Sequence, residues 1–308
     1  MRQTEKRKVA KETTTWTIQE VLWYTSIMKI IDSHVHVFPP DVSENPKSCQ
    51  QDEPCFELLY KDPKARMVST ESLLEAMDRQ GISMSIVCSF PWRDPAMAKD
   101  HNDYILSSAQ FHPDRLVPLA SVDVLAPGAI KEAERALAAG AAGLGEIGVY
   151  EHDLTDDSVF DLLKRLARLC AEADKPLLLH TNEPIGHTYP GKSPMSIKGL
   201  YELISACPDT RFQLAHMGGG LFAFALLKRE VRKVLKNCVF DTAATPYLYL
   251  PKTYKLFFDI CDEQQILYGS DFPLLALARY EKDLAESGIT KKQRAALLEQ
   301  NAKRFWGL

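Results

Sequence analysis

Eight short β-branched or apolar runs, alternating with amphipathic helical windows from residue 28 to the C-terminus, constrain this chain most. The runs cover residues 29–37, 84–89, 116–122, 143–147, 176–181, 212–216, 239–242 and 265–270. The helical windows carry apolar residues at a spacing near 3.6, as in Val159, Leu162, Leu163, Leu166, Leu169 and Cys170, or Ile130, Ala133, Leu137 and Ala138. Repeated βα units demand a parallel sheet covered by helices, and eight of them bury their surfaces most naturally as an α/β fold of the (β/α)8 TIM barrel class. An open doubly wound sheet normally shows a glycine-rich turn after its first strand; here that strand runs into His34-Val35-His36-Val37-Phe38-Pro39-Pro40. The 308 residues suit one barrel spanning 28–308. Residues 1–27 read as an N-terminal extension, with Met28 as the expected natural start of the fold. The polar, proline-bearing stretch from 39 to about 67 reads as a long unpatterned loop that could act as a lid.

Composition narrows the partners. A net charge of −4 gives no attraction to phosphate backbones or anionic membranes, so nucleic acid and membrane are not expected, and a small molecule is the expected substrate. The apolar stretch 18–27 is broken by Gln19 and Glu20 and is too short to span a bilayer. Seven cysteines without a C-x-x-C pair read as thiols of a reducing, cytoplasmic compartment; Cys49 and Cys55, in the polar loop, are the exceptions that could oxidise or bind metal. Apolar residues at 221–227 and 274–277 suggest either a homo-oligomer contact or a barrel-facing helix surface.

The chemistry concentrates at strand ends. In Asp32-Ser33-His34-Val35-His36, residues i and i+2 share one side of a strand, so both imidazoles face one point. Four more predicted strands end in metal-capable side chains: Glu146, His180, His216 and Asp271. At the C-terminal ends of barrel strands these side chains would converge on the mouth, where a divalent metal suits mixed imidazole and carboxylate ligands. His101, His112 and His152 lack a partner at ligand spacing and read as surface residues.

The His-x-His of strand 1, His180, His216 and the Gly-Ser-Asp-Phe-Pro at 269–273 together resemble the amidohydrolase superfamily, in its amidohydrolase-related (amidohydrolase 2) group, over essentially the whole of 28–308. The resemblance implies that His34, His36 and Asp271 bind a first metal, with Asp271 also accepting a proton from the attacking water. It implies that His180 binds this metal or a second one, and that His216 is a second-site ligand or an unligated acid/base. Glu146 is either the bridging carboxylate of a two-metal site or a hydrogen-bond partner of a ligand histidine. The implied activity is a zinc-type metal-dependent hydrolase, with one or two ions, cleaving an amide, ester or lactone bond. The alternatives are a one-metal non-oxidative decarboxylase of the same superfamily and a TatD-like nuclease.

Arg93, in Phe90-Pro91-Trp92-Arg93, and His187 and Tyr189, in the loop after strand 5, are the candidate substrate contacts, Arg93 as a carboxylate clamp. Asp241 reads either as an orienting residue or as a helix N-cap. Gly218-Gly219-Gly220 reads more simply as a tight turn than as a phosphate cradle.

Overall fold

The computed structural model describes residues 29–48 and 53–308; the extension 1–27 and Cys49 lie outside the described residues. Eight parallel strands stand in sequence order: β1 (Ile30–His36), β2 (Ile82–Cys88), β3 (Leu116–Ala120), β4 (Gly143–Ile147), β5 (Leu177–Leu179), β6 (Phe212–Leu214), β7 (Cys238–Asp241) and β8 (Ile266–Leu267). The sheet closes on itself. Ser33 N–H donates to Tyr268 O at 2.8 Å, Asp271 N–H to His34 O at 3.0 Å, and His36 N–H to Phe272 O at 2.8 Å, joining the end of β8 to β1. The architecture is the (β/α)8 barrel that the alternation predicts. Several strands are shorter than their apolar runs because the residues past the ladder turn away to present side chains at the mouth.

Two apolar layers hold the barrel. One lies between strands and helices and includes Val35, Val87, Leu144, Leu166, Leu179 and Phe240. The other fills the barrel interior with Ile31, Ile86, Val117, Leu119, Leu178, Val239 and Leu267, and the C-terminal helix adds Ala302 and Phe305. Ile31 belongs to this interior layer, and strict alternation from it would turn His34 outward. A register shift between Asp32 and Val35 turns both His34 and His36 inward instead.

The described residues of the stretch after β1 carry more regular structure than its sequence suggests. Pro40 and Pro54 sit in the first turns of two short helices, Pro40–Glu44 and Pro54–Tyr60, where a missing N–H costs nothing. Phe38, Val42 and Phe56 from this segment pack with Phe90, Trp92 and Tyr150 from other strand-end loops. His101 corrects the surface reading: it is 4% exposed on helix Pro95–Phe111, with the edge of Trp92 at 4.6 Å between ring centroids and Ser89 Oγ 3.1 Å from its Nδ1. Its helix buries Ala98, His101, Asn102 and Ile105, the spacing of an inward face. His112 and His152 are half-buried, and His152 pairs with Asp156 at 3.1 Å.

Leu221, Phe222, Ala225, Leu275 and Leu277 face the core, whereas Phe224, Leu226, Leu227 and Leu274 are exposed. The described cysteines are free, Cys88, Cys170 and Cys238 being buried and Cys55, Cys207 and Cys261 partly so. Among the described residues, no helix is long and apolar enough to cross a membrane.

Candidate metal centre at the barrel mouth

Six side chains from β1 and the ends of β4, β5, β6 and β8 meet at one point. His34 Nε2 and His36 Nε2 stand 3.2 Å apart. His34 Nε2 is 3.6 Å from Glu146 Oε1 and 4.0 Å from Asp271 Oδ1; His36 Nε2 is 3.6 Å from Glu146 Oε2 and 3.4 Å from Asp271 Oδ1. At the same carboxylate oxygen that His34 approaches, His180 Nδ1 lies 3.0 Å and His216 Nε2 3.7 Å from Glu146 Oε1. Donor atoms bound to one ion at about 2.1 Å stand about 3 to 3.5 Å apart, which is close to these separations.

The outward-facing nitrogens explain the orientation. His34 Nδ1 donates to Asp241 Oδ2 at 3.0 Å, His180 Nε2 to Gly191 O at 2.8 Å, and His216 Nδ1 to Ala243 O at 2.9 Å. His36 Nδ1 faces Ser89 O at 3.4 Å and Cys88 Sγ at 3.5 Å. A carbonyl oxygen only accepts, so each ring that points its outer N–H at one turns a lone pair inward. Inward lone pairs beside two carboxylates repel one another unless protons or a cation stand between them, and the donor chemistry therefore fits a divalent metal.

Electrostatics say the same. Burial pulls the His34 pKa down, yet the Asp241 and Glu146 carboxylates outweigh it and hold it well above the ordinary value. His180 is raised in the same sense, burial again opposing and Glu146 prevailing. Burial alone would raise Glu146, but His180 and His34 hold it well below the carboxylate range. Asp271 falls to about 2, its burial offset by His36, His34 and His216.

Local backbone serves this arrangement. Asp271 has φ +58°, a left-handed conformation that aspartate tolerates, and the turn is pinned by Ser270 N–H donating to Asp32 Oδ1 at 2.8 Å. Burial pushes the Asp32 carboxyl up to about 7 against the Ser270 and His34 hydrogen bonds that lower it. Gly219 is required where it stands: at φ +59° a Cβ there would come within 2.2 Å of Asn182 O. The glycine run is thus a tight turn behind His216.

The predicted substrate contacts have partners of their own in this structure. Arg93 is engaged by the chain's own acids, its Nε donating to Asp123 Oδ2 at 2.8 Å and its Nη2 to Glu151 Oε2 at 2.7 Å. A carboxylate clamp would have to displace them. His187 is exposed in the loop after β5, 5.9 Å between ring centroids from Tyr189, whose hydroxyl donates to Glu183 at 3.2 Å. Sequence reasoning left out Tyr150, whose ring lies 5.1 Å from that of His180. It sits four residues beyond Glu146 in a loop with no periodicity to mark it.

The family model for amidohydrolases, Amidohydro_2, matches residues 31–308. The chain belongs to this amidohydrolase family. No curated protein matches the sequence. Among solved structures, it is similar to 5-carboxyvanillate decarboxylase from Novosphingobium aromaticivorans, complexed with manganese and 4-hydroxy-3-methoxy-5-nitrobenzoic acid, at TM-score 0.69 and 16% identity, covering 92% of this chain and 97% of that one. It is similar to 2,6-dihydroxybenzoate decarboxylase from Rhizobium at TM-score 0.67 and 17% identity, covering 91% and 99%. It is also similar to a putative amidohydrolase from Staphylococcus aureus at TM-score 0.65 and 17% identity, covering 91% and 100%. At these identities the likeness is one of fold.

Proposed function

We propose that this amidohydrolase-family enzyme is a metal-dependent non-oxidative decarboxylase of small, flat carboxylic acids, working with one divalent ion. The carrying observation is the close packing of His34 Nε2 and His36 Nε2 against each other, Glu146 and Asp271, four side chains arranged as donors for a single ion. When bound, the ion would supply positive charge to hold a substrate carboxylate and a neighbouring oxygen; manganese and zinc both suit these donors. Manganese is bound in 5-carboxyvanillate decarboxylase from Novosphingobium aromaticivorans and in a dihydroxybenzoic acid decarboxylase from Polaromonas, both similar in fold.

The chain's own residues would supply the proton. His216, its Nδ1 held by Ala243 O and its Nε2 turned into the mouth, is the proposed donor to the substrate carbon that bears the carboxylate. The carbon–carbon bond then breaks, its electron pair stays with the ring or diene, and carbon dioxide departs. His180 lies beside His216 at 5.0 Å between ring centroids, and solvent would restore the proton that each turnover consumes. Tyr150, over His180, gives the site an aromatic wall against which a flat substrate packs.

One observation favours a second reading, the two-metal hydrolase. Glu146 Oε1 lies within 3.7 Å of His34, His180 and His216 while Oε2 faces His36 at 3.6 Å, so one carboxylate reaches all four imidazoles, as a bridging carboxylate would. Manganese-loaded protein incubated with hydroxybenzoic and dienoic acids in D2O separates the two. Carbon dioxide release with one deuterium per product supports the decarboxylase. Cleavage of esters, lactones or amides by protein holding two ions, falling to one in Glu146→Gln, replaces it with the hydrolase.

A further inference from the structure

β7 contributes no side chain to the six-membered cluster, yet its end touches two members of it. The Asp241 carboxylate is completely buried and accepts four hydrogen bonds. Oδ2 takes His34 Nδ1–H at 3.0 Å and Gln213 Nε2–H at 2.8 Å; Oδ1 takes His216 N–H at 3.1 Å and Ala243 N–H at 3.0 Å. Two residues on, Ala243 O receives His216 Nδ1–H at 2.9 Å. Gln213, on β6, anchors the assembly to β1 by donating to Ser33 O at 2.9 Å.

We infer that Asp241 is a positioning residue that fixes the tautomer of His34 and the backbone of His216, so that strand 1 presents its imidazole to the ion and strand 6 holds His216 beside it. This rests on the reading that the cluster binds a divalent cation. An acceptor-only group at Oδ2 obliges His34 to carry its proton on Nδ1, which leaves Nε2 free to ligate. Gly269 makes the approach possible: a Cβ there would lie 2.8 Å from His34 Cβ and 3.3 Å from Asp241 Cβ, so a larger residue would force the pair apart. An amide at position 241 would keep the shape but set an N–H against one of the four donors. His34 can accommodate it only by moving its proton to Nε2, the ligating atom.

The full-length protein, stripped of metal, is titrated with Co2+ alone against a competing chelator, as wild type and as Asp241→Asn. The expected loss in Co2+ affinity is about 10- to 100-fold, the range for removing the outer partner of a ligand histidine. A Co2+ affinity within about twofold of wild type overturns the inference. A readout on the wild type guards against a variant that fails to fold. With 15N-labelled histidine in the zinc-loaded protein, assigned by comparison with His34→Gln, the His34 proton is expected on Nδ1; finding it on Nε2 overturns the assignment. Failure of the wild type to bind Co2+ at all sinks the metal reading itself, an outcome distinct from wild-type binding that Asp241→Asn leaves unchanged.

Discussion

The two ends of the barrel interior share strands β1, β5 and β8 and do opposite things. Towards the strand N-termini, Ile31, Val117, Leu119, Leu178, Val239 and Leu267 close on Phe305 in a fully apolar plug. Towards the C-termini, β1 and the ends of β4, β5, β6 and β8 present four imidazoles and two carboxylates whose inner atoms have one another for neighbours. The plug returns free energy as it packs; the mouth collects ionisable groups whose burial costs free energy until a cation joins them. Stability and chemistry are therefore separable along one axis, and substitutions at the two ends should fail in different ways.

The largest expected effect is at the mouth. Asp271→Asn keeps a residue that tolerates φ +58° and the N–H to His34 O, but removes the charge. Turnover should fall by about a thousandfold, whereas loss of a carboxylate held at about 2 by His36, His34 and His216 should cost the metal-free protein less stability than a cavity in the plug. A variant that keeps its activity would break the contrast. Leu178→Ala, in the plug, should do the reverse: a loss of about 3 to 4 kcal/mol in denaturant unfolding, with metal affinity unchanged.

A smaller effect sits just outside the mouth. Burial holds His101 down at about 4. Its unfolded value is about 6.5, so between these pH values the unfolded chain binds a proton that the folded chain refuses, and stability falls as pH drops from about 6.5 to about 4. The loss approaches about 3 kcal/mol and is complete below the folded value. His101→Gln should flatten that part of the stability profile as followed by urea unfolding. An unaltered slope would show that His101 is not the titrating group.

The sequence carried the architecture because parallel βα repeats write their burial as apolar runs, and it carried the six mouth residues because each stands where such a run stops. Other features left weaker traces. The bulge in β1 has no sequence mark, and the inward direction of both histidines depends on it as well as on their spacing. Ligand spacing alone makes His101 a surface residue, whereas Ala98, Asn102 and Ile105, flanking it at helical intervals, mark the buried face it shares. Arg93 looked like a free clamp because Asp123 and Glu151, which engage it, lie 30 and 58 residues away. Long-range polar partners of this kind are settled by tertiary packing and leave no local pattern.

The most direct test of the central claim is elemental analysis of the full-length protein after exposure to Mn2+ or Zn2+ and exhaustive dialysis, alongside His36→Ala. The wild type should retain one ion per chain and the variant close to none. A wild type that retains no ion, or a variant that retains as much as wild type, would contradict the claim that these side chains share a cation.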